Sequence, residues 1–367
     1  MGVRVIRPAA PVASVAALAP YATADMSAPD WVVPISLAQN ESLRPPSPLA
    51  MAAAAEAAGS AQLYPDAAWG DLRRALAAHH GIPAEGILCG NGSLDLIAAL
   101  ARVFAGPGRA VLAPAHAYPF FRSAALMAGA RFDTAPERDA TVSVEALLAA
   151  QTPETSLVFV ANPGNPTGTR LPVDSLRSLR AGLRPDVLLV IDEAYGEFAD
   201  HLGERCFDMV ARGDTVVLRT FSKAYGLAGL RIGWGAFPPP IAGEMRKVLN
   251  PNNVSCIGLA AAVAALADQA YLAETCRLTA ERQERAAARV SAAGIRTAPC
   301  ATNFLLLDFG DADRALGAEA WLRARGIFLR RQAGAGLPQM LRMTIGDAAA
   351  MEAALSALEE WQRKGPG

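Results

Sequence analysis

The chain has 367 residues, and its 34 Lys and Arg against 35 Asp and Glu give a formal net charge of −1 at pH 7. At roughly 150 residues per domain, this length corresponds to about two domains. A content of 52% hydrophobic and 19% charged residues is typical of a globular protein. The even charge balance argues against a general binding surface for nucleic acid or for an anionic membrane.

The five cysteines lie far apart without a C-x-x-C pair, and the four histidines do not cluster with them. We therefore expect reduced thiols, no metal site and a cytoplasmic location. Arg4 and Arg7 precede an apolar stretch, but three prolines within residues 8–20 weaken its similarity to a signal peptide. The apolar run Leu49–Ala58 is well short of the ~20 residues that a membrane span needs, so no transmembrane helix is expected.

Helical and strand-like stretches alternate along most of the chain. The first helices are expected over Leu49–Ala58, Trp69–His79 and Ser93–Phe104, the last one capped by Ser93. Short apolar runs without polar alternation are typical of strands buried in a parallel sheet; they are Ala110–Ala113, Ser156–Ala161, Val187–Ile191 and Thr215–Thr220. This alternation predicts a doubly wound α/β domain, which binds ligands at the carboxyl ends of its strands.

The pattern changes after Pro238–Pro240, where an Ala-rich helical stretch is expected over Ile257–Arg289. The tail then predicts strands over Thr302–Phe309, Ile327–Arg330 and Leu341–Ile345, with helices over Gly317–Arg325 and Ala348–Trp361. We expect an N-terminal arm (1–45) that joins the small domain or a partner subunit, a large α/β domain (46–255), and a linking helix with a small α+β domain (256–367).

Polar residues stand at the ends of three consecutive predicted strands. Asn165 lies in N-P-G-N-P-T-G, Asp192 begins D-E-A-Y, which ends in Tyr195, and Lys223 lies in T-F-S-K-A-Y-G-L-A-G. The spacings of 27 and 31 residues place an amide, an acid and an amine at one edge of a sheet. A desolvated lysine near a cation can attack a carbonyl group. Side chains that can bind a phosphate beside it are Thr220, Ser222 and Arg231.

These motifs resemble the fold-type I pyridoxal-phosphate enzymes, the aspartate aminotransferase superfamily, and the lysine segment matches the class-II aminotransferase signature. Within the superfamily the chain is most similar to the histidinol-phosphate aminotransferase family, through N-E-S-L-R-P-P-S-P, Y-P-D, G-N-G-S and L-R-M-T-I-G. The resemblance implies an aspartate aminotransferase-like α/β fold, in which a large domain with a mostly parallel central sheet is joined to a smaller α+β domain. It also implies pyridoxal 5'-phosphate as cofactor and a homodimer.

The resemblance implies a role for each matching residue around the cofactor. Lys223 would bind the cofactor covalently and move a proton during the reaction. Asp192 would pair with the ring nitrogen, whereas Asn165 and Tyr195 would bind the ring oxygen. Tyr118 would stack on the ring, although a core aromatic is the alternative reading. The cofactor phosphate would be held by the backbone amides of Gly92, Ser93 and Leu94, by Thr220, Ser222 and Arg231, and by Tyr64 of the partner subunit.

On the substrate side, the resemblance implies that Arg342 clamps a carboxylate, although a structural ion pair is the alternative for this arginine. Arg330 and Tyr21 match contacts to a substrate phosphate, and Asn40 also belongs to the substrate site. Asn252 stands where the family has a tyrosine that helps bind this phosphate. The donor is therefore expected to be histidinol phosphate-like or an aromatic amino acid, with 2-oxoglutarate as acceptor in a ping-pong reaction.

Two other functions remain open at this point. A decarboxylase of the threonine-phosphate type is built on a similar scaffold, and it differs in which bond at the substrate α-carbon is broken. A non-catalytic regulator would need a separate DNA-binding module, but few residues precede the first motif, and they show no helix-turn-helix pattern.

Overall fold

The computed structural model describes residues 9–16, 18–20, 26, 33–203 and 205–364. In chain order the strands are β1 (Ile35–Ser36), β2 (Ile87–Asn91), β3 (Ala110–Pro114), β4 (Arg131–Ala135), β5 (Thr155–Ala161), β6 (Leu188–Asp192), β7 (Thr215–Thr220), β8 (Ile232–Ala236), β9 (Arg296–Thr297), β10 (Phe304–Asp308), β11 (Ile327–Phe328), β12 (Arg330–Gln332) and β13 (Leu337–Thr344).

The α-helices are α1 (Ala13–Ala16), α2 (Pro48–Ala58), α3 (Gly70–His80), α4 (Ser93–Phe104), α5 (Pro119–Met127), α6 (Val144–Ala150), α7 (Val173–Gly182), α8 (Gly196–Ala199), α9 (Pro239–Arg246), α10 (Cys256–Ala267), α11 (Gln269–Ala292), α12 (Ala312–Arg323) and α13 (Ala348–Lys364). Of the elements whose bounds were expected from the sequence, most lie within a few residues of the structure, whereas β2, β4, β8 and the helices α5 to α9 had no expected bounds.

A seven-stranded sheet in the order β2-β8-β7-β6-β5-β3-β4 forms the centre of the molecule. Its strands pair in parallel except β8, which is antiparallel to both β2 and β7. Strands β6 and β7 are buried along their whole length, as strands covered on both faces are. Helices α3, α4, α5, α7 and α10 contribute to the same core. The expected large domain with a mostly parallel sheet is therefore confirmed.

A second core lies in the C-terminal part of the chain. The antiparallel sheet β12-β13-β10-β9 packs there with α12 and α13, around residues such as Leu341 and Trp361. Leu37 from the N-terminal arm also belongs to this core, and β1 pairs in parallel with β11. The C-terminal part of the arm, which leads into the large domain, therefore packs against the small domain. The domain boundaries at residues 45 and 255 stay a prediction.

The helical stretch expected over Ile257–Arg289 consists of two helices, α10 and α11, bent by 79° at Asp268. The second helix starts there because the Asp268 carboxylate accepts the Tyr271 N–H. One local expectation was wrong. Ser93 is the first residue of α4 rather than its cap, which is Gly92. In the described part of the chain no single helix is long and apolar enough to cross a membrane, and α10 with α11 meets that test only as a bent pair.

Candidate active site

A cleft of about 480 Å³ lies between the carboxyl ends of the central strands, the N-terminal arm and β13. Most residues that the sequence singled out line this cleft, which brings together parts of the chain more than 300 residues apart. These residues are Asn40, Gly92, Ser93, Leu94, Tyr118, Asn165, Asp192, Tyr195, Thr220, Ser222, Lys223, Arg231 and Arg342. These residues bring together an amine, an acid, two amides, two phenols and two guanidinium groups.

Lys223 follows the carboxyl end of β7 and extends its amine into the cleft. Its Nζ donates hydrogen bonds to the backbone oxygens of Gln39 at 3.3 Å and Asn40 at 3.1 Å. The pKa of Lys223 is lowered to about 8, mainly by burial and also by the positive charges of Arg342 and Arg231. A substantial fraction of the amine is therefore neutral near physiological pH, which a nucleophile requires.

Asp192 is the last residue of β6, directly beside the strand that precedes Lys223. Its Oδ1 accepts the Ala194 N–H at 3.2 Å. Burial raises the pKa of Asp192 to about 7, and the neighbouring charge of Glu193 acts in the same direction. A buried acid of this kind is ionised most readily beside a cation. A protonated ring nitrogen is such a partner, so this residue fits a pyridine-type cofactor.

A hydrogen-bond network connects the other polar groups of the cleft. Asn40 Nδ2 donates to Tyr195 Oη at 2.7 Å. Arg342 donates through Nη1 to Asn165 Oδ1 at 2.6 Å and through Nη2 to Ala38 O at 2.8 Å. Burial raises the pKa of Tyr195 to about 12, so the phenol keeps its proton and can donate it. The arm, the central sheet and β13 are thereby held in one arrangement.

The N-terminus of α4 forms the anion-binding end of the cleft. Gly92 has φ +74° and precedes the helix, whose first backbone N–H groups have no acceptor within the helix. The Arg231 guanidinium lies over Gly92, since a Cβ there would come within 2.6 Å of Nη2, and Arg231 Nη1 also donates to Ser222 Oγ at 3.4 Å. A helix N-terminus with an adjacent arginine and hydroxyl groups suits a phosphate.

Of the predicted residues that the structure describes, Tyr64 and Arg330 do not line the cleft. Tyr64 is 89% exposed in the chain, and Tyr21 lies outside the described residues. Arg330 is directly opposite Arg342 in the antiparallel pair of β12 and β13, which places the two residues on one face of the sheet. No cluster of His, Cys, Asp and Glu within the described ranges could hold a metal ion.

Gln39 and Glu41 also line the cleft and were missed at the level of sequence. Both flank Asn40, and Glu41 belongs to the motif N-E, which was a usable signal for that residue. The contribution of Gln39 is its backbone oxygen, which no side-chain pattern reveals. Ala161, Pro163 and Ala194 line the cleft as well and adjoin predicted residues at the strand ends.

Comparison with known proteins places this geometry in a family. The model of the family "Aminotransferase class I and II" matches residues 33–358. The histidinol-phosphate aminotransferase of Paramagnetospirillum magneticum is 43% identical over 334 residues, which are 89% of this chain and 91% of that protein. The enzyme of the same name from Rhodospirillum centenum is 42% identical over 349 residues, 94% of this chain and 96% of that one.

Solved structures agree with these matches. The histidinol-phosphate aminotransferase of Sinorhizobium meliloti, in complex with pyridoxal-5'-phosphate, superimposes with a TM-score of 0.85 at 35% identity and covers 89% of this chain and 90% of its own. An aspartate aminotransferase from Thermus thermophilus, 23% identical, shares the fold with a TM-score of 0.79, over 90% of this chain and 92% of its own.

The chain belongs to the class I and II aminotransferase family and has the aspartate aminotransferase fold. It is a pyridoxal-phosphate-dependent aminotransferase that exchanges an amino group between a small-molecule amine and an oxo acid. The sequence-based predictions of the family, the fold, the cofactor and the reaction are thus confirmed.

Proposed function

We propose that the physiological donor is histidinol phosphate, that 2-oxoglutarate is the acceptor, and that the enzyme serves histidine biosynthesis. The observation that carries this proposal is the pairing of Arg342, inside the cleft, with Arg330 directly opposite it on β12. Two guanidinium groups on one face of a sheet can bind both a carboxylate and a phosphate through bidentate contacts. The names of the relatives from Paramagnetospirillum and Sinorhizobium support the same donor.

We assign the cofactor contacts to the residues at the strand ends. Bound pyridoxal phosphate supplies the electron sink that amino transfer needs. Lys223 provides the amine that holds the cofactor covalently and carries the proton to and from the substrate α-carbon. Asp192 keeps the ring nitrogen protonated. Asn165, whose Oδ1 accepts a hydrogen bond from Arg342, would donate through its amide nitrogen to the ring oxygen, as Tyr195 would through its hydroxyl.

The remaining cofactor contacts fix the ring and the phosphate. Tyr118, which lines the cleft and contacts Phe121 edge-on with ring centroids 5.8 Å apart, would stack on the ring face. At the N-terminus of α4, Gly92, Ser93 and Leu94 would hold the phosphate through backbone amides, and Thr220, Ser222 and Arg231 would hold it through side chains.

On the substrate side we assign the carboxylate of the acceptor to Arg342 and the phosphate of the donor to Arg330 and Tyr21. We also assign Asn40, which lines the cleft and donates to Tyr195, to the substrate site. Asn252, at φ +56°, takes the place of the tyrosine seen in the family. One hydroxyl contact to the phosphate is therefore replaced by charge from the arginines.

The working unit is proposed to be a cytoplasmic homodimer in which Tyr64 reaches the active site of the partner. Leu49, Met51 and Leu63 are exposed together with Tyr64 on α2 and the turn that follows it. Exposed apolar residues grouped in this way suit a protein interface. All five cysteines are free thiols, as suits a reducing compartment.

A panel of donors tests the substrate assignment. With 2-oxoglutarate as acceptor, kcat/KM for histidinol phosphate should exceed that for unphosphorylated histidinol by at least about a hundredfold, because a site built for a charged group rejects analogues without it. Phenylalanine, tyrosine and aspartate should be poorer donors. Arg330→Ala should lower kcat/KM for histidinol phosphate about tenfold or more and leave that for aspartate unchanged.

Arg331→Ala is the matched control, because Arg331 is the next residue on the same strand and is exposed. It should leave both donors unaffected. Equal kcat/KM for histidinol and its phosphate, or equal effects of the two arginine substitutions, would contradict the proposed donor.

A further inference from the structure

The arm segment 37–41 passes between the small sheet and Lys223. On the side of the small sheet, Leu37 O accepts the Thr344 N–H at 2.8 Å, and the Asn40 N–H donates to Thr344 Oγ1 at 2.9 Å. Thr344 is the last residue of β13, two residues after Arg342. The strand that carries the substrate-side arginine therefore also holds the arm.

Asn303 adds a second attachment from the small sheet. Its side chain is buried at 1% exposure just before β10, and its backbone oxygen accepts the Ile345 N–H at 2.8 Å. Its Nδ2 donates to Asn40 O at 3.1 Å and to Glu41 O at 3.0 Å. Two carbonyl acceptors fix the orientation of this amide. Its Oδ1 has no hydrogen-bond partner among the described residues. The hydrogen bonds that this side-chain amide makes there therefore all go to the arm.

The same arm segment faces the catalytic groups on its other side. The Asn40 oxygen that accepts from Asn303 also accepts from Lys223 Nζ at 3.1 Å, and the oxygen of Gln39 accepts from the same amine at 3.3 Å. The Asn40 side chain donates to Tyr195 Oη at 2.7 Å. A single peptide oxygen is therefore shared between a buried amide of the small sheet and the amine of the lysine.

We propose that Asn303 is a positioning residue for amino transfer. Its amide holds the Asn40 and Glu41 carbonyls so that the arm presents two backbone acceptors to the amine of Lys223. When the amine is free, these acceptors orient its hydrogens and its lone pair for proton transfer. This inference rests on the proposed role of Lys223, and it goes beyond it because Asn303 does not line the cleft.

The test compares Asn303→Leu with Gln283→Leu. Gln283 is a suitable control because its Nε2 also donates to two backbone oxygens, those of Thr302 at 2.8 Å and Phe304 at 2.9 Å, on either side of Asn303. Both substitutions remove an amide that bonds two carbonyls, but only one of these amides touches the arm.

For Asn303→Leu we expect kcat per bound cofactor to fall about tenfold, as loss of two hydrogen bonds would produce. The KM for 2-oxoglutarate should change by less than about twofold, since Arg342 keeps its bond to Asn165. Hydrogen–deuterium exchange of the holoenzyme should increase over residues 37–41. Gln283→Leu should lower Tm and leave kcat per bound cofactor and exchange of the arm unchanged.

Thr344→Val is a second, nearly isosteric variant, which removes the acceptor of the Asn40 N–H. Like Asn303→Leu, it should lower kcat and increase the hydrogen–deuterium exchange of the arm. The proposal is overturned if Asn303→Leu and Thr344→Val keep the wild-type kcat and exchange, or if Gln283→Leu lowers kcat per bound cofactor equally. Lys223→Ala tests the proposed role of Lys223 separately from that of Asn303, because retained turnover in this variant would refute the role of the lysine itself.

Discussion

At the scale of single residues, burial sets the charges in the cleft. It lowers the pKa of Lys223 to about 8 and raises that of Asp192 to about 7, so each group tends towards its neutral form. No sequence motif by itself predicts these two pKa shifts. Both arise because the side chain lies at the end of a fully buried strand, where water is excluded. A cofactor with a protonated nitrogen restores the charge of the carboxylate.

The pKa of Asp192 predicts a pH-dependent stability of the cofactor-free protein. The folded-state pKa of about 7 exceeds the ordinary value of 3.8. Between these values the unfolded chain releases a proton that the folded chain keeps, so stability is lost as the pH rises towards 7. Asp192→Asn removes this loss. In the absence of cofactor, the Tm of this variant should exceed that of the wild type. The difference in Tm should grow from pH 5 to pH 7, where it reaches ~5 °C, and stay constant above pH 7.

Differential scanning fluorimetry at several pH values measures this difference in Tm. Exposed Asp71→Asn is the control and should show no such trend. With pyridoxal phosphate added the order should reverse, because the variant lacks the partner of the ring nitrogen. A difference in Tm that shrinks as the pH rises would contradict the assigned pKa.

The residues that the sequence could predict are those at the strand ends. Asn165, Asp192 and Lys223 each follow an apolar run, and parallel strands bring their carboxyl ends to one edge. Asn303 and the backbone oxygen of Gln39 could not be predicted in this way. Their importance depends on how the small sheet approaches the arm, which is a long-range contact without a local pattern.

At the scale of elements, short apolar runs predicted the central strands β3, β5, β6 and β7 but missed β2, β4 and β8. The edge strand β4 contains Arg, Asp and Thr. Both β2 and β8 contain glycine, and β8 reads Ile-Gly-Trp-Gly-Ala, which lacks the continuous apolar run of a buried strand. The structure gives the reason for Gly233, because a Cβ there would collide with the backbone nitrogen of Ser93. The glycine that weakens the strand pattern therefore allows α4 to start beside β8, next to Arg231.

The start of α4 gives a second prediction. Gly92 has φ +74° and ψ +169°, a region that only glycine adopts readily, and a Cβ would come within 2.6 Å of Arg231 Nη2. Gly92→Ala should therefore displace Arg231 and distort the backbone amides at the helix start. We expect the affinity for pyridoxal phosphate, measured by fluorescence titration, to fall about tenfold or more.

Gly81→Ala is the control for backbone strain. Gly81 also has positive φ, +66°, at the end of α3, but a Cβ there meets nothing within 4 Å. Its substitution should lower stability by about 1 kcal/mol and leave cofactor affinity unchanged. Equal affinities for Gly92→Ala and the wild type would show that the phosphate is bound elsewhere.

At the scale of the whole molecule, the cleft lies where two cores meet. The central sheet supplies Asp192 and Lys223, the small sheet supplies Arg342, and the arm lies between them. Length and composition predict about two domains, and the change of pattern after Pro240 predicts that the second lies beyond it. The packing of the arm was left open between the small domain and a partner subunit, and Leu37 lies in the core of the small domain. Tyr64, in contrast, faces outward.

The position of Tyr64 predicts that two inactive variants complement each other. In the proposed homodimer, a subunit with Lys223→Ala can still donate Tyr64 to a partner with Tyr64→Ala, whose lysine is intact. Each mixed dimer then contains one site without substitutions. After subunit exchange at limiting cofactor, activity should rise to about a quarter of the wild-type value, since half the dimers are mixed and each has one intact site.

Sedimentation should show dimers throughout. A mixture of Lys223→Ala with the double variant is the control and should stay inactive, whereas no gain in the first mixture would mean that Tyr64 does not act across the interface.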